Sequence, residues 1–568
     1  MNKRMTGSEA LIQSLLAEQV DTLFGYPGGQ IMPVFDALFD YRDRLKHILV
    51  RHEQGAVHAA QGYARVSGKP GVVIVTSGPG ATNVITGVAD AMIDSTPLVV
   101  ITGQVPNGLL GTDAFQETDV LGITLPITKW SYQIRSAEEI PSAIARAFFI
   151  ARSGRPGPVV LDFPKTAQLG MLDFKYEPCR YIRSYAPVPT VDAAAIAQAA
   201  ELINAARKPF VIFGQGVLLS HAEAELKRFL EKTDIPAAAT LLGLSGLPSD
   251  YPLFKGMVGM HGNLGPNKKT NECDLLIAIG MRFDDRVTSD VATYARQAKI
   301  IHIDIDPSEI GKNVPVEVGV LGDAKEVLRQ LCPLVSPNNH AAWNCEFDVC
   351  NEIEHEKVIL PEIKPSGDML TMGEVVARIS EATGNKAVVV TDVGQNQMMG
   401  ARYSGFCNTR SLITSGGLGT MGFGLPAAIG AKIAAPDRTV CFFTGDGGIQ
   451  MTVQELGTIL QEGTGVKIIV LNNSRLGMVR QWQELFYQER YSETTMINPD
   501  FVQLAAAYGI KGRCVTGRNE LSDAIREMLA DDKPYLLEVA VEEKGMVFPM
   551  IPGGKCVDKM MLNTNEWY

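Results

Sequence analysis

The feature that most restricts how this chain folds is a local design that occurs twice, far apart. A hydrophobic strand runs into a glycine turn and then into a helix, as VVIVTSGPGATN from Val72 and as TVCFFTGDGGIQ from Thr439. Short apolar runs that end in glycine and alternate with helical segments describe parallel sheets covered on both faces by helices. Two such motifs separated by most of the chain imply two related α/β domains flanking a different middle one. A length of 568 residues, several times an ordinary domain, accommodates that division.

The expected fold class is α/β, as three α/β domains: two related doubly wound parallel-sheet domains around a Rossmann-like one. The first block spans residues 1–175, with strands at Val72–Val75 and Pro97–Gly103. Three prolines between Tyr176 and Val191 then break the rhythm and predict a linker. A second block, 190–340, carries strands at Pro209–Gly214, Asp274–Gly280 and Lys299–Ile305. From Asn338 to Met372 the pattern is irregular and polar, predicting a second linker. The third block, 365–568, has strands in AVVVTDVG, RTVCFFTGDGG, VKIIVLNN and PYLLEVAV.

A formal charge of −11 argues against nucleic acid or an anionic membrane as partner, so an anionic substrate requires local positive groups. No apolar run is long and uninterrupted enough to span a bilayer, and MNKRMTGSEALIQ lacks the apolar core of a signal peptide. A cytoplasmic protein is expected. The nine cysteines are scattered, odd in number and free of CxxC spacing, which predicts reduced thiols rather than disulfides or zinc.

The most informative string begins GDGG at Gly445 and ends VKIIVLNN at Asn473. Asp446 follows directly on a buried strand, two glycines let the backbone approach a ligand, and the next strand delivers Asn473 to the same sheet edge. A carboxylate and an amide oxygen are hard ligands suited to Mg²⁺, which also binds phosphate oxygens. GDG alone reads equally well as a plain turn; with NN at the end of the following strand, it resembles the thiamine diphosphate fingerprint. Glu53, in ILVRHEQGAVHAAQGYARVSG, follows an apolar strand and opens a helix. Such a glutamate is ordinarily a first-turn charge on the helix dipole. Followed by AAQGYAR and TSGPGATN, it resembles the carboxyl group of thiamine-dependent decarboxylases and carboligases that hydrogen-bonds the aminopyrimidine ring.

Within that group the strings GYPGGQIMPVFDAL, QVPNGLLGTDAFQE, ITKW, SGRPGPVVLDFPK, GMVGMHG, MRFDDRV, TSGGLGTMGFGLPAAIGA, GMVRQWQELFY and VFPMIPGGK resemble acetohydroxyacid synthase catalytic subunits almost from end to end. The resemblance implies decarboxylation of pyruvate on thiamine diphosphate and transfer of the two-carbon unit to pyruvate or 2-ketobutyrate, early in branched-chain amino acid synthesis. It implies Glu53 as activator, with Gln116 and Phe115 near the reaction centre and Lys165 near the entrance. Val393, Gly394, Gln395, Gly419, Met421, Gly447 and Met478 are then thiamine contacts, and Asp446, Asn473 and Arg475 the Mg²⁺ set. Arg286 is expected to pair with the ketoacid carboxylate, which a guanidinium fork matches, and Trp482 to favour 2-ketobutyrate as acceptor. Glu53 and Asp446 then come from different subunits of a homodimer or tetramer, and the family commonly adds a small regulatory subunit.

The middle block has no full GxGxxG fingerprint. There the resemblance implies FAD across Gly214, Gly216, Thr240, Leu241, Met260, His261, Gly280, Arg282, Asp304 and Asp323, with Arg155 beside it. The reaction has no net redox change, so this flavin is expected to be largely structural. The chain departs from the family pattern at Gln30, Asn396, Met399 and Gly448. Two rival readings are a pyruvate oxidase, which shares the cofactors but consumes an electron acceptor, and a non-catalytic cofactor-binding scaffold. RFDDR and QWQ stand against the first, and the joint presence of Glu53, Gln116, Asp446 and Asn473 against the second.

Overall fold

Three six-stranded parallel sheets form the frame of the molecule in a computed structural model that describes residues 3–568. At the flank of the first domain, β1 (Lys3–Thr6) pairs antiparallel with β8 (Met171–Phe174). Between them lie β2 (Thr22–Gly25), β3 (Lys46–Leu49), β4 (Gly71–Val75), β5 (Leu98–Gln104), β6 (Trp130–Gln133) and β7 (Pro158–Pro164), in the order β3-β2-β4-β5-β7-β6. The middle sheet comprises β9 (Pro209–Phe213), β10 (Ala237–Ala239), β11 (Phe254–Met257), β12 (Leu275–Ile279), β13 (Lys299–Asp304) and β14 (Val318–Leu321), in the order β11-β10-β9-β12-β13-β14. The third holds β15 (Val388–Thr391), β16 (Leu412–Ile413), β17 (Val440–Gly445), β18 (Val466–Asn472), β19 (Lys511–Val515) and β20 (Tyr535–Ala540), in the order β16-β15-β17-β18-β20-β19.

Counted within each six-stranded sheet, the first and third follow the order 2-1-3-4-6-5, whereas the middle one follows 3-2-1-4-5-6 and reverses direction between β9 and β12. That reversal is the doubly wound dinucleotide pattern, whose crevice opens at the switch point. The central strands are buried on both faces: Val72 to Val75, Leu98 to Ile101 and Ile468 to Leu471 are almost fully shielded. Their unbroken apolar runs, rather than alternation, follow from that burial.

The first and third domains meet through two helices in backbone contact, Glu53–Ser67 and Gly424–Ala434. A Cβ on Gly62 would sit 2.0 Å from the Ala427 carbonyl oxygen, and one on Gly430 would sit 1.8 Å from that of Ala59. Only glycine allows this approach.

The second expected linker is instead largely helical. Residues Ala341–Glu354 form an α-helix, continued by further turns to Ile363. Trp343, Phe347 and Cys350 recur at helical spacing and are buried in the middle domain's core. Charged residues on the opposite face masked that stripe. The tail also returns to the middle domain: Ile551, Val557, Met560 and Leu562 join the same core, and the Ile551 amide donates to the Met260 carbonyl at 2.8 Å.

Candidate functional site

At the carboxyl ends of the first sheet, four loops converge. Glu53 opens its helix directly after β3, and its Oε2 accepts from Asn83 Nδ2 at 2.9 Å. The turn that aims it is fixed from the third domain, because the Arg51 and His52 amides donate to Glu455 Oε1 at 3.1 and 3.0 Å. After β4, Gly78 adopts a φ of +57°, and a Cβ there would lie 3.0 Å from Gln116. Gln116 itself holds a φ of +62°, beside a Phe115 that is 84% exposed. Lys165, after β7, donates to the Gly29 carbonyl at 3.2 Å. Glu53, Gln116, Phe115 and Lys165 therefore share one sheet edge.

The third sheet presents a different edge. Gly445 of β17 pairs with Leu471 of β18, so Asp446, directly after Gly445, and Asn473, two residues after Leu471, emerge from neighbouring strand ends. Asp446 Oδ2 accepts from Asn498 at 2.6 Å, while its Oδ1 is buried without a partner. Burial raises this carboxyl's pKa above the usual range, with the Asn498 hydrogen bond working against it. Asn473 donates to Gln395 at 3.3 Å, and Gln395 donates to Gln481 at 3.0 Å. A Cβ on Gly447 would lie 3.9 Å from Met421. The Arg475 guanidinium turns to Glu543 and Thr495. A guanidinium has no lone pair for a metal, so only the Arg475 carbonyl remains to serve. An orphaned buried carboxylate oxygen beside an amide oxygen is the donor chemistry of a hard divalent cation, and these residues fit one.

A cavity of about 710 Å³ opens where the three domains meet, the first of them contributing Ser95 and Arg155. On the middle side Gly216 and Gly280 line it where β9 and β12 end, so close that a Cβ on Gly216 would lie 2.6 Å from the Gly280 Cα. Gly280 has a φ of +56°. Thr240, Leu241, Asp304 and Asp323 extend this wall, and Arg155 and Arg282 charge it. Asp304 is pushed up to about 6 by burial. Asp323 caps the helix Ala324–Leu331. Arg155 is bound to Ser95, Asp306 and Glu309 at 2.8 to 3.1 Å. Gly214 does not line the cavity; its amide donates across to the Ile279 carbonyl at the end of the neighbouring strand β12, at 2.9 Å. A glycine-lined crevice at the switch point, long enough for an extended ligand, fits a dinucleotide.

Toward the third domain the same cavity is lined by Val393, Gly394, Gly419, Met478, Trp482 and Arg286. Gly394 and Gly419 take φ values of +118° and +66°. Arg286 is exposed to the cavity, with Met260 Sδ at 3.7 Å and Asp285 at 3.8 Å. Trp482 packs with Met260, Met550, Met561 and Phe548. His261 is buried with an unpartnered Nδ1 and is held neutral, its pKa pushed down to about 3 by burial and by Arg402 and Arg286. The four residues of the first sheet's edge do not line this cavity. Gln395, Met421, Asp446, Gly447, Asn473 and Arg475 stay on the third sheet's edge, outside its wall.

At the departures, Gln30 has a buried Oε1 without partner, and Asn396 donates to Val393 at 3.2 Å. Met399 is core. A Cβ at Gly448 would come 2.9 Å from Thr444 Oγ1 and 3.0 Å from the Asp392 carboxyl, which accounts for glycine there. Sequence reasoning missed Asn83, Glu455, Asp392 and Asn498. Asn83 lay within the quoted TSGPGATN string; the others carry no local signature.

Models of the thiamine pyrophosphate enzyme match the chain three times: its N-terminal TPP binding domain at residues 5–123, its central domain at 196–331 and its C-terminal TPP binding domain at 392–539. The chain is 47% identical to the acetolactate synthase isozyme 2 large subunit of Escherichia coli, over 98% of this chain and 99% of that one. It is 46% identical to the acetolactate synthase large subunit of Corynebacterium glutamicum, over 97% and 89%. With the acetolactate synthase large subunit of Lactococcus lactis it shares 43%, over 99% and 97%.

Proposed function

The chain belongs to the thiamine pyrophosphate enzymes and, among them, to the acetolactate synthase large subunits, and from that premise we propose that it joins two 2-ketoacids with loss of CO₂. The observation that carries this reading is the cavity that places Arg286 and Trp482 beside Val393, Gly394 and Met478. A carboxylate-matching cation and an apolar wall next to a thiamine-binding edge describe a site for a small ketoacid rather than for a polymer or a sugar.

Thiamine diphosphate, when bound, supplies the carbanion chemistry that no side chain can furnish. Glu53 holds a proton at the ring nitrogen of the pyrimidine, with Asn83 orienting its carboxyl. Asp446 and Asn473 offer the hard oxygens for Mg²⁺, and Asn498 fixes the Asp446 carboxylate. Arg286 pairs with the carboxylate of pyruvate or 2-ketobutyrate. Trp482, with Met260 and Met550, excludes water and gives the acceptor's extra methyl an apolar contact. Gly216, Gly280 and the wall from Thr240 to Asp323 hold FAD, which stabilises the fold by mass action.

Because Glu53, Gln116, Phe115 and Lys165 lie on an edge apart from the cavity, the reading requires a second copy of the chain to bring that edge to it. The exposed Phe115 is in keeping with such a homo-oligomer. Nine free cysteines suit a reducing cytoplasm. No helix among the described residues is long and apolar enough to cross a membrane.

The test is a pyruvate assay with thiamine diphosphate, Mg²⁺ and FAD, following acid-converted acetoin, with and without an artificial electron acceptor. Acetolactate formed without an acceptor is the expected result. Pyruvate loss only when an acceptor is reduced would replace this reading with an oxidase.

A further inference from the structure

The stretch Thr414–Thr420 walls the cavity through Ser415, Gly416, Gly417 and Leu418, yet the groups that hold it come from the first domain. Asp94, fully buried at the end of the helix Ile85–Ile93, accepts from the amides of Gly416 at 2.8 Å and Gly417 at 2.7 Å. It also accepts from Arg65 at 2.9 Å, whose other terminal nitrogen donates to the Thr414 carbonyl at 2.5 Å. One turn earlier, Asp90 accepts from Thr420 Oγ1 at 2.9 Å and from the Ser415 hydroxyl.

Two carboxylates and a guanidinium in an interior are a poor way to gain stability alone, since apolar side chains of equal volume serve as well or better. Asp90 even leaves its Oδ2 buried without a partner. What the bonds achieve is geometric. With the Gly416 and Gly417 amides committed to Asp94, the stretch turns bare backbone to the cavity at these two glycines, between Ser415 and Leu418. A Cβ on Gly416 would lie 2.7 Å from Leu242, and one on Gly417 would lie 2.9 Å from Arg282, both of them cavity residues. Such a surface suits the face of a planar ring.

We propose that Asp94 and Asp90 are positioning residues that set this glycine wall for the flavin ring, so that flavin affinity is governed from the first domain. The inference rests on the cavity's being the flavin site. The experiment titrates flavin-stripped enzyme with FAD by flavin fluorescence and measures acetolactate formation against FAD concentration, for the unaltered chain and for Asp94→Asn. The asparagine keeps the size but replaces one acceptor oxygen with a donor facing the glycine amides. Flavin binding should weaken about tenfold or more. The loss should appear in flavin half-saturation and not in turnover at saturating flavin; a fall in turnover alone overturns the proposal. Should Asp94→Asn not fold, Thr420→Val removes one Asp90 bond from the loop side, with flavin binding about threefold weaker and an unchanged affinity overturning the proposal. An unaltered enzyme that takes up no flavin sinks the flavin reading and this inference together. An Asp94→Asn enzyme that matches a flavin-binding parent sinks the inference alone.

Discussion

The first and third domains share one strand permutation but differ at their carboxyl edges. In the first, the turn after the second strand of its six-stranded sheet, β3, delivers a carboxylate, Glu53; in the third, the corresponding turn after β16 is the glycine stretch Thr414–Thr420. The turn after the third strand inverts this. It is TSGPG, without an ionisable group, in the first domain, and GDGG with the buried Asp446 in the third. One scaffold thus carries its carboxylate on a different turn in each domain, and on the proposed reading the first edge serves a proton and the third a cation, a difference that lies in the turns rather than in the sheet.

The sharpest way to break this division of labour is Glu53→Gln. Turnover should fall by about 10²- to 10⁴-fold with the Mg²⁺ requirement and far-ultraviolet circular dichroism unaltered; near-normal turnover would remove the proton role from the first edge. Asp446→Ala should act on the other quantity, raising the Mg²⁺ needed for half-activity about a hundredfold. Its cofactor-free melting temperature should hold or rise, because a buried carboxyl with an orphaned oxygen is gone, and a clear drop would contradict that. Trp482→Leu is expected to shift the ratio of 2-ketobutyrate to pyruvate used as acceptor by about tenfold, the scale of one buried methylene. Competition between the two acceptors measures it, and an unchanged ratio would free Trp482 of that task.

Acid stability sharpens the comparison further, since the third block contains no histidine and the first holds two that are driven neutral. His58, packed against Phe423, is pushed down to about 3 by burial and by Arg65, and His47 to about 4 by burial. Between an ordinary value near 6.5 and these lowered ones, the unfolded chain takes up protons that the folded chain refuses. Stability is therefore full above pH 6.5 and falls by about 1.4 kcal/mol per histidine for each pH unit below it, until the lowered pKa is reached. His58→Gln should flatten this dependence in urea unfolding at pH 7 and pH 5.5, and an unchanged slope would locate the acid sensitivity elsewhere.

Much of the frame could be read from the chain because its signals are local. Unbroken apolar strands ending in glycine announce parallel sheets, and GDGG followed one strand later by NN places two turns on neighbouring strand ends. What could not be read is long-range. Glu455 fixes the Glu53 turn and Asn498 holds Asp446, each across sequence distances that no motif spans. The helix Ala341–Glu354 was hidden for a different reason: its apolar stripe is only one residue wide per turn, diluted by charges that face water.

The return of Ile551, Val557, Met560 and Leu562 to the middle domain has a consequence for synthesis. Chains emerge from the ribosome in order, and domains generally fold as they appear. Here the middle domain is made second but is completed last, so its apolar face stays open while the entire third domain is translated. Its protection during that interval depends on how fast the ribosome finishes.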